Sequence, residues 1–445
     1  MFMDETPPDA RDLAVDPAAA IVPPPSGSSL WELRRLRRDP FDYLRRLASR
    51  GDVASFMLRN QPGFLVNRPD LIEEVLVASP ARFIKAPALQ RATRLLGRGL
   101  LTAEGAGHAA RRRVIQPVFH RQRMEGYADT MVRRANALAG TWRDGQPLDI
   151  SEQMSSLTLS IVGDTLFSAD LTPYGTELRK IVTDAVTSLD PLVSLVAPRR
   201  RLRPARRRLE AIVDALIADH ERTTDRVPDL LDLLIDASSN STPEQLYDDA
   251  ITMLLAGFDT ITNALTWTWV FLDEHPDVAL TLGDELDRVL GGRLPGLHDI
   301  PSLVYTRAVL AESLRVRPPA WIIARQTVEP VEVGGVSMPT GSLVLVSPYL
   351  MHRDERYFES PATFDPSRWM NGHAASRPKF AYLPFGGGRR ACVGESFAWM
   401  EGVLVLATIA GRWRVSLAPH ASAEIDPRIT LRPRGPVVMV PVARV

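Results

Sequence analysis

Phe385-Gly386-Gly387-Gly388-Arg389-Arg390-Ala391-Cys392-Val393-Gly394 is the stretch on which the reading of this chain turns. It holds the only cysteine of 445 residues, in a glycine-rich loop with two arginines just upstream. The periodic apolar segment that follows, from about Ser396 to Ile409, predicts a helix. Glycines let a backbone turn tightly and come close to a flat ligand, because no Cβ intervenes. A thiolate just before a helix N-terminus meets the positive end of the macrodipole, which predicts a lowered cysteine pKa. Three readings suit the loop: an inert buried cysteine, a phosphate cradle, or a soft anionic metal ligand on a rigid hairpin. The phosphate reading lacks the Gly-Lys-Ser/Thr ending of a P-loop and the spacing of a dinucleotide turn.

Position by position, Phe385, Gly388, Arg390, Cys392 and Gly394 resemble the haem-binding loop of cytochromes P450. The resemblance runs from about Pro23 to the C-terminus and implies a mainly α fold with minor β, an α-rich domain with small β-sheets around a buried haem b. It implies that the Cys392 thiolate is the axial iron ligand and that Phe385, Gly388, Arg390 and Gly394 belong to the cofactor site.

Outside the loop, composition excludes more than it assigns. Hydrophobic residues make up 45% and charged residues 24%, ample for a large core. Lysine plus arginine equals aspartate plus glutamate at 53 each, so no global field favours nucleic acid or a membrane surface. A single cysteine rules out an internal disulfide and a cysteine-ligated iron–sulfur cluster within the chain. Met1 to Ser29 is acidic and then Pro/Ala-rich, a lead-in without the basic start and apolar run of a signal peptide. No stretch approaches 18 uninterrupted apolar residues, so a soluble cytoplasmic protein is expected, with residues 30–445 as one domain.

Helical periodicity covers about Asp39–Arg50, Pro69–Ala78 with Asn67 as candidate cap, His108–Val118, Arg121–Arg143, Ile150–Leu166, Thr176–Leu189, Ala205–Thr223, Asp229–Ser238 and Ser302–Val316. Val53–Leu58 and Gly63–Val66 predict two strands around a turn at Asn60–Gly63, and Arg82–Thr102 reads as a loop. Strand-like runs stand at Thr327-Val328, Val331–Val333, Val336 and Leu343–Val346 and recur between the prolines of Arg412–Val445. The longest helix, Thr242 to about Leu272, is apolar nearly all round and is expected to run through the centre. Arginines crowd Arg199 to Arg208, the pattern of a solvated face or of a surface for an acidic partner or membrane.

Inside that long helix stands Ala256-Gly257-Phe258-Asp259-Thr260. A mid-helix glycine costs about 1 kcal/mol against alanine, and a buried acid and hydroxyl need partners. The stretch resembles the oxygen-activation motif of P450s, where the helix opens locally beside the iron. By that resemblance Thr260 hydrogen-bonds dioxygen, Asp259 relays protons, and Ala256 lies against the cofactor. Glu312 and Arg315 share one helix face. With Arg368 in Phe364–Trp369 they resemble the family's buried charge network, which holds the loop rather than reacting. His108, Arg112, Arg325 and Arg390 match the family's haem-propionate positions, although many relatives carry tryptophan where His108 stands.

The resemblance implies a haem-thiolate monooxygenase that inserts one atom of dioxygen into a lipophilic molecule, a terpenoid, fatty acid or steroid-like compound. Electrons come from a separate ferredoxin or flavodoxin, and Arg111 to Arg113 are expected to help dock it. The pocket is expected from Arg82 to Leu101, Val186 to Val196, Leu255, Ala256, Thr260 and Ala320 to Ile323, with Trp321 adding bulk. Peroxide or isomerase chemistry at a haem-thiolate centre is the alternative, opposed by the Asp259-Thr260 pair; a non-catalytic haem sensor would have no use for that pair. No H-E-x-x-H or G-x-S-x-G pattern supports zinc or serine hydrolysis.

Overall fold

Thr242 lies extended ahead of Pro243, whose fixed φ suits a first helical turn, and from there one helix runs unbroken for 32 residues. This is the longest helix of the computed structural model, which describes residues 34–36, 38–58, 60–189 (main chain only for 185–189), 202–222, 228–239, 242–370, 372 and 376–444. The helices are α1 (Pro40–Ala48), α2 (Pro69–Glu73), α3 (Pro87–Arg91), α4 (Thr93–Leu96), α5 (Gly105–Ile115), α6 (Arg121–Thr141), α7 (Ile150–Leu166) and α8 (Gly175–Leu189). They continue as α9 (Leu202–Arg222), α10 (Leu230–Ser238), α11 (Pro243–Glu274), α12 (Pro276–Leu290), α13 (Val304–Val316), α14 (Pro348–Met351) and α15 (Glu395–Ala410).

The main core gathers around α11, where Leu254, Leu265, Trp267 and Trp269 are almost wholly buried and α7, α13 and α15 pack alongside. The mid-helix glycine has a packing reason. A Cβ on Gly257 would stand 3.2 Å from Cγ2 of Val162, so α7 approaches α11 closely at that point. Thr158 of α7 and Thr262 of α11 share a buried hydroxyl hydrogen bond of 2.7 Å across the same contact.

The β structure sits to one side. Strands β1 (Val53–Leu58), β2 (Gln61–Val66), β3 (Phe83–Lys85), β5 (Ile323–Thr327) and β8 (Leu343–Val346) form a sheet in the order β1-β2-β8-β5-β3. Only the β2–β8 pairing within it is parallel. A three-stranded sheet orders β4 (Leu148–Asp149), β12 (Val438–Ala443) and β9 (Trp413–Leu417) as β4-β12-β9. Two hairpins complete the set, β6 (Val331–Val333) with β7 (Val336–Met338) and β10 (Ile425–Pro427) with β11 (Leu431–Pro433). The large sheet carries two smaller apolar clusters, one around Ile72, Phe83, Val346 and Phe380 and the other around Leu44, Phe56, Trp321 and Leu431.

The α-rich architecture with small sheets agrees with the expected fold, and several boundaries move. Arg82–Thr102 is not a plain loop: it contains β3, α3 and α4. The Asn60–Gly63 turn is tighter than expected, because β2 begins at Gln61 and places Pro62 opposite Met57. Helix α2 gives way after Glu73 to a π turn, Glu74–Ala78, and its cap position is Arg68 without a side-chain bond, not Asn67. The lead-in to Ser29 and Arg199 to Arg201 lie outside the described residues. Of the remaining basic run, Arg206 pairs with Glu210 and Asp248 and Arg208 lies 3.6 Å from Glu177, while Arg203 and Arg207 are exposed.

Candidate active site

The cysteine loop is built by positive-φ glycines. Gly386 and Gly388 have φ of 73° and 69°, a region that L side chains avoid. A Cβ on Gly388 would also fall 2.2 Å from the carbonyl oxygen of Leu76, so the loop lies directly against the π turn at 74–78. Cys392 N donates to Phe385 O at 3.0 Å and closes the loop, and α15 begins three residues on at Glu395. Gly394 by contrast has room for a methyl, its nearest neighbour being Phe119 at 3.7 Å.

The expected lowering of the Cys392 pKa is not found. Burial pushes the thiol up to about 11, and the Gly394 N–H and Arg112 only partly oppose it. Its side chain is nonetheless exposed at the surface of the loop. Ala256 behaves the same way, exposed in mid-helix between Leu254 and Phe258, which are almost fully buried.

Beside the loop lies a cluster of cations. Arg112 Nη1 donates to Ala391 O at 2.6 Å, one residue from Cys392, and Arg390 pairs with Glu104 at 2.6 Å. Arg325 is 8% exposed, and its Nε has no partner. Burial, and then the nearby Arg390, lowers the Arg325 pKa to about 10. Lys85, expected only within the 82–101 pocket stretch and not as a cation of the site, donates to Leu100 O and Ala103 O; burial and the neighbouring arginines lower it to about 8. His108 is held near 4 by burial and then by Lys85, Arg390 and Arg112, so it stands neutral. Among the described residues, Glu104 is the acid that counters these cations. A cofactor with two carboxylates would supply the missing negative charge. An accessible thiol within protein, a cradle where only glycine fits and an orphaned guanidinium N–H together fit the haem that the resemblance implies.

Behind the loop, Glu312 and Arg315 are completely buried and joined by two bonds of 2.8 Å. Glu312 also receives Arg368 Nε at 2.9 Å, Trp369 Nε1 at 2.8 Å and the Asp365 N–H at 2.8 Å. Arg315 spends its remaining donors on the carbonyls of His352, Pro361 and Thr363. The structure brings these three sequence candidates together and adds His352, which was not among them. Its Nε2 accepts the Leu383 N–H at 2.9 Å and its Nδ1 faces Arg315 O at 3.3 Å. Burial and then Arg315 drive its pKa well down, which keeps the ring neutral in the tautomer these bonds require. The network therefore reaches to within two residues of Phe385. A lone histidine between Met351 and Arg353 carries no local signal of such a role.

In α11 the expected local opening is absent. Thr260 Oγ1 donates to Ala256 O at 2.9 Å, an i−4 back-bond inside a continuous helix. The Asp259 carboxylate turns to the C-terminal hairpin, where it accepts from Thr430 Oγ1 at 2.9 Å. Burial raises its pKa against the pull of Thr430, Arg432 and Asn263. Two other expectations fail. Arg111 is consumed in a buried pair with Asp249 at 2.8 Å. Trp321 is buried in the apolar cluster beside the sheet, with its ring against Phe41 and its N–H on Arg428 O, so it adds no bulk to a pocket.

The family profile described as Cytochrome P450 matches residues 22–439. The chain is 37% identical over 425 residues to cyclooctatin synthase of Streptomyces melanosporofaciens, covering 92% of each protein. It is 34% identical to cyclooctat-9-en-7-ol 5-monooxygenase of the same organism, over 89% of each. Pentalenene oxygenase of Streptomyces avermitilis is 31% identical, over 87% of this chain and 89% of its own.

Glu312→Gln leaves Arg315 and Arg368 as buried cations without their shared carboxylate and is expected to cost about 3–5 kcal/mol in urea denaturation. Gly388→Ala is expected to cost about 1–3 kcal/mol in the same assay, through φ strain and the Leu76 carbonyl. Wild-type midpoints for both variants would show that the loop does not depend on this packing.

Proposed function

The chain belongs to the cytochrome P450 family, and from that premise we propose that it hydroxylates or otherwise oxygenates a cyclic terpenoid, with Cys392 as the ligand of the haem iron. The family assigns monooxygenase chemistry and haem. The observation that carries the site reading is the Cys392 loop set beside a surplus of buried cations. The substrate class is supported by the relatives, two named for cyclooctatin chemistry and one for pentalenene oxidation. The apolar side chains at Leu255 and Ala256 of α11 are consistent with it, as is Ile323, whose Cδ1 lies close to the Gly386 turn.

Haem, when bound, supplies dioxygen activation and the insertion of one oxygen atom, the other leaving as water. Cys392 Sγ would hold the iron, giving up its proton on binding as metal-ligating thiols do. Arg112, Arg325 and Arg390 would neutralise the two propionates, with neutral His108 as a hydrogen-bond donor. Phe385, Gly388 and Gly394 would shape the loop under the ring, and Ala256 would give the ring room on the helix side. Asp259 would hold a proton, favoured by its burial, and pass it toward Thr260 Oγ1, which must exchange its bond to Ala256 O to take part. Thr430 Oγ1 would hold the Asp259 carboxyl for that task, while Asn263 donates to the Asp259 main-chain carbonyl at 2.7 Å.

Two electrons come from a separate carrier, and an acidic ferredoxin or flavodoxin fits. With Arg111 buried against Asp249, the docking cations reduce to Arg113 and Arg389, both exposed and joined through Arg112, which donates to Arg389 O at 3.3 Å. Among the described residues, no helix is long and apolar enough to cross a membrane.

The reduced, carbon monoxide-bound protein is expected to absorb at about 450 nm. A haem-loaded protein without that band is not a thiolate enzyme. Asp259→Asn and Thr260→Ala are each expected to cut product turnover by about 10²-fold with substrate affinity little changed, measured as kcat and KM on a cyclic terpene. Arg113→Glu with Arg389→Glu is expected to slow reduction by ferredoxin about tenfold and flatten its dependence on salt; an unchanged salt slope would move the docking face elsewhere.

A further inference from the structure

Asp248 and Asp249 lie on α11 about two turns before Ala256, and the chemistry assigned above leaves both unused. Asp249 is almost completely buried and accepts from the Leu100 N–H at 2.8 Å and from Arg111 of α5 at 2.8 Å. Asp248 accepts from the Arg98 N–H at 2.6 Å and pairs with Arg206 of α9 at 2.7 Å. Arg206 reaches on to Leu95 O at 3.2 Å. One adjacent acid pair thus ties α5, α9 and the segment 95–103 to the central helix.

The segment has little freedom to sit elsewhere. Gly97 has φ of +62°, and a Cβ there would land 1.7 Å from Asp248 Oδ1. A Cβ on Gly99 would fall 2.3 Å from Asp248 O and 2.5 Å from Thr252 Oγ1. The far end is held by Lys85 Nζ on Leu100 O and Ala103 O, and Glu104 and His108 of the cation cluster follow directly. Thr102 Oγ1 closes the segment on itself through Gly97 O at 2.6 Å. It therefore spans from α11 to the cation cluster, the two sides of the site, and exposes the apolar Leu101 on the way.

We propose that Asp248 and Asp249 are positioning residues that set the 95–103 wall and α9 against α11, and through them the size of molecule the site admits. The inference rests on the haem-site reading above. Charge-assisted bonds from carboxylates to main-chain N–H groups are roughly twice as strong as neutral ones, so removing the charge loosens the wall without touching the cysteine loop. Gly99→Ala displaces the same wall with every charge intact.

The test uses the haem-loaded protein with Asp248→Asn, Asp249→Asn, Arg206→Leu, Arg206→Lys and Gly99→Ala. Hydrogen exchange across 95–103 is expected to quicken about tenfold in all but Arg206→Lys, with the α13 and α15 peptides unchanged. Dissociation constants for imidazole, which fills little beyond the iron, are expected to stay within about twofold. Those for the bulkier 4-phenylimidazole are expected to rise about fivefold or more, with Arg206→Lys close to the parent. Parallel shifts for both probes, or faster exchange throughout the chain, would overturn the proposal in favour of a general structural role. An unmoved ratio with a locally mobile wall would overturn it too. A parent protein lacking the 450 nm band would remove the haem-thiolate reading instead, and the exchange result would still report on the wall.

Discussion

The completely buried Glu312 carboxylate is the point on which the site depends. A carboxylate in that position is unaffordable unless every lone pair is used, and here two arginines, an indole N–H and a main-chain N–H converge on it. Because the donors come from α13 and from the 365–369 turn, satisfying one charge fixes two distant pieces of chain together. Arg315 then binds the carbonyls of residues 352, 361 and 363, and His352 hands the order on to Leu383. The cysteine loop starts two residues later. Its geometry is thus held by electrostatics from behind and by the steric demand for glycine in front, where Gly388 meets the Leu76 carbonyl.

The opposite rim obeys the reverse rule. There, cations are brought together with too little negative charge; burial first, and then the neighbouring cations, shift Lys85 and Arg325 down and keep His108 neutral. Such an arrangement is costly in isolation and makes sense around an anionic group. The two halves of the site differ in purpose for this reason: a satisfied network holds the fold, and an unsatisfied one binds.

Much of this was legible in the chain. The central helix, Ile150–Leu166 and the cysteine helix lie where periodicity put them, because periodicity is a local property, and Glu312, Arg315 and Arg368, singled out by motif spacing, do come together. Lys85, Glu104 and His352 were not legible, since an ordinary lysine, glutamate or histidine has no sequence mark of what it will face. Arg111 was misread for the same reason: its partner Asp249 lies 138 residues away. Trp321 was misread because a large aromatic near a pocket-forming segment can point to either side of it.

The amino-acid order was enough to point to a haem protein, through one cysteine among glycines and an acid–hydroxyl pair in an apolar helix. It also determined that α-helix would dominate. That burial raises the Cys392 pKa, outweighing the helix terminus that the local sequence advertises, emerged from the packing of distant segments. The same packing determines that Arg111 is tied to Asp249, that α11 stays closed at Thr260, and that Asp248 and Asp249 hold the 95–103 segment. Desolvation and ion pairing depend on neighbours far away in sequence, and those neighbours exist only once the chain has folded.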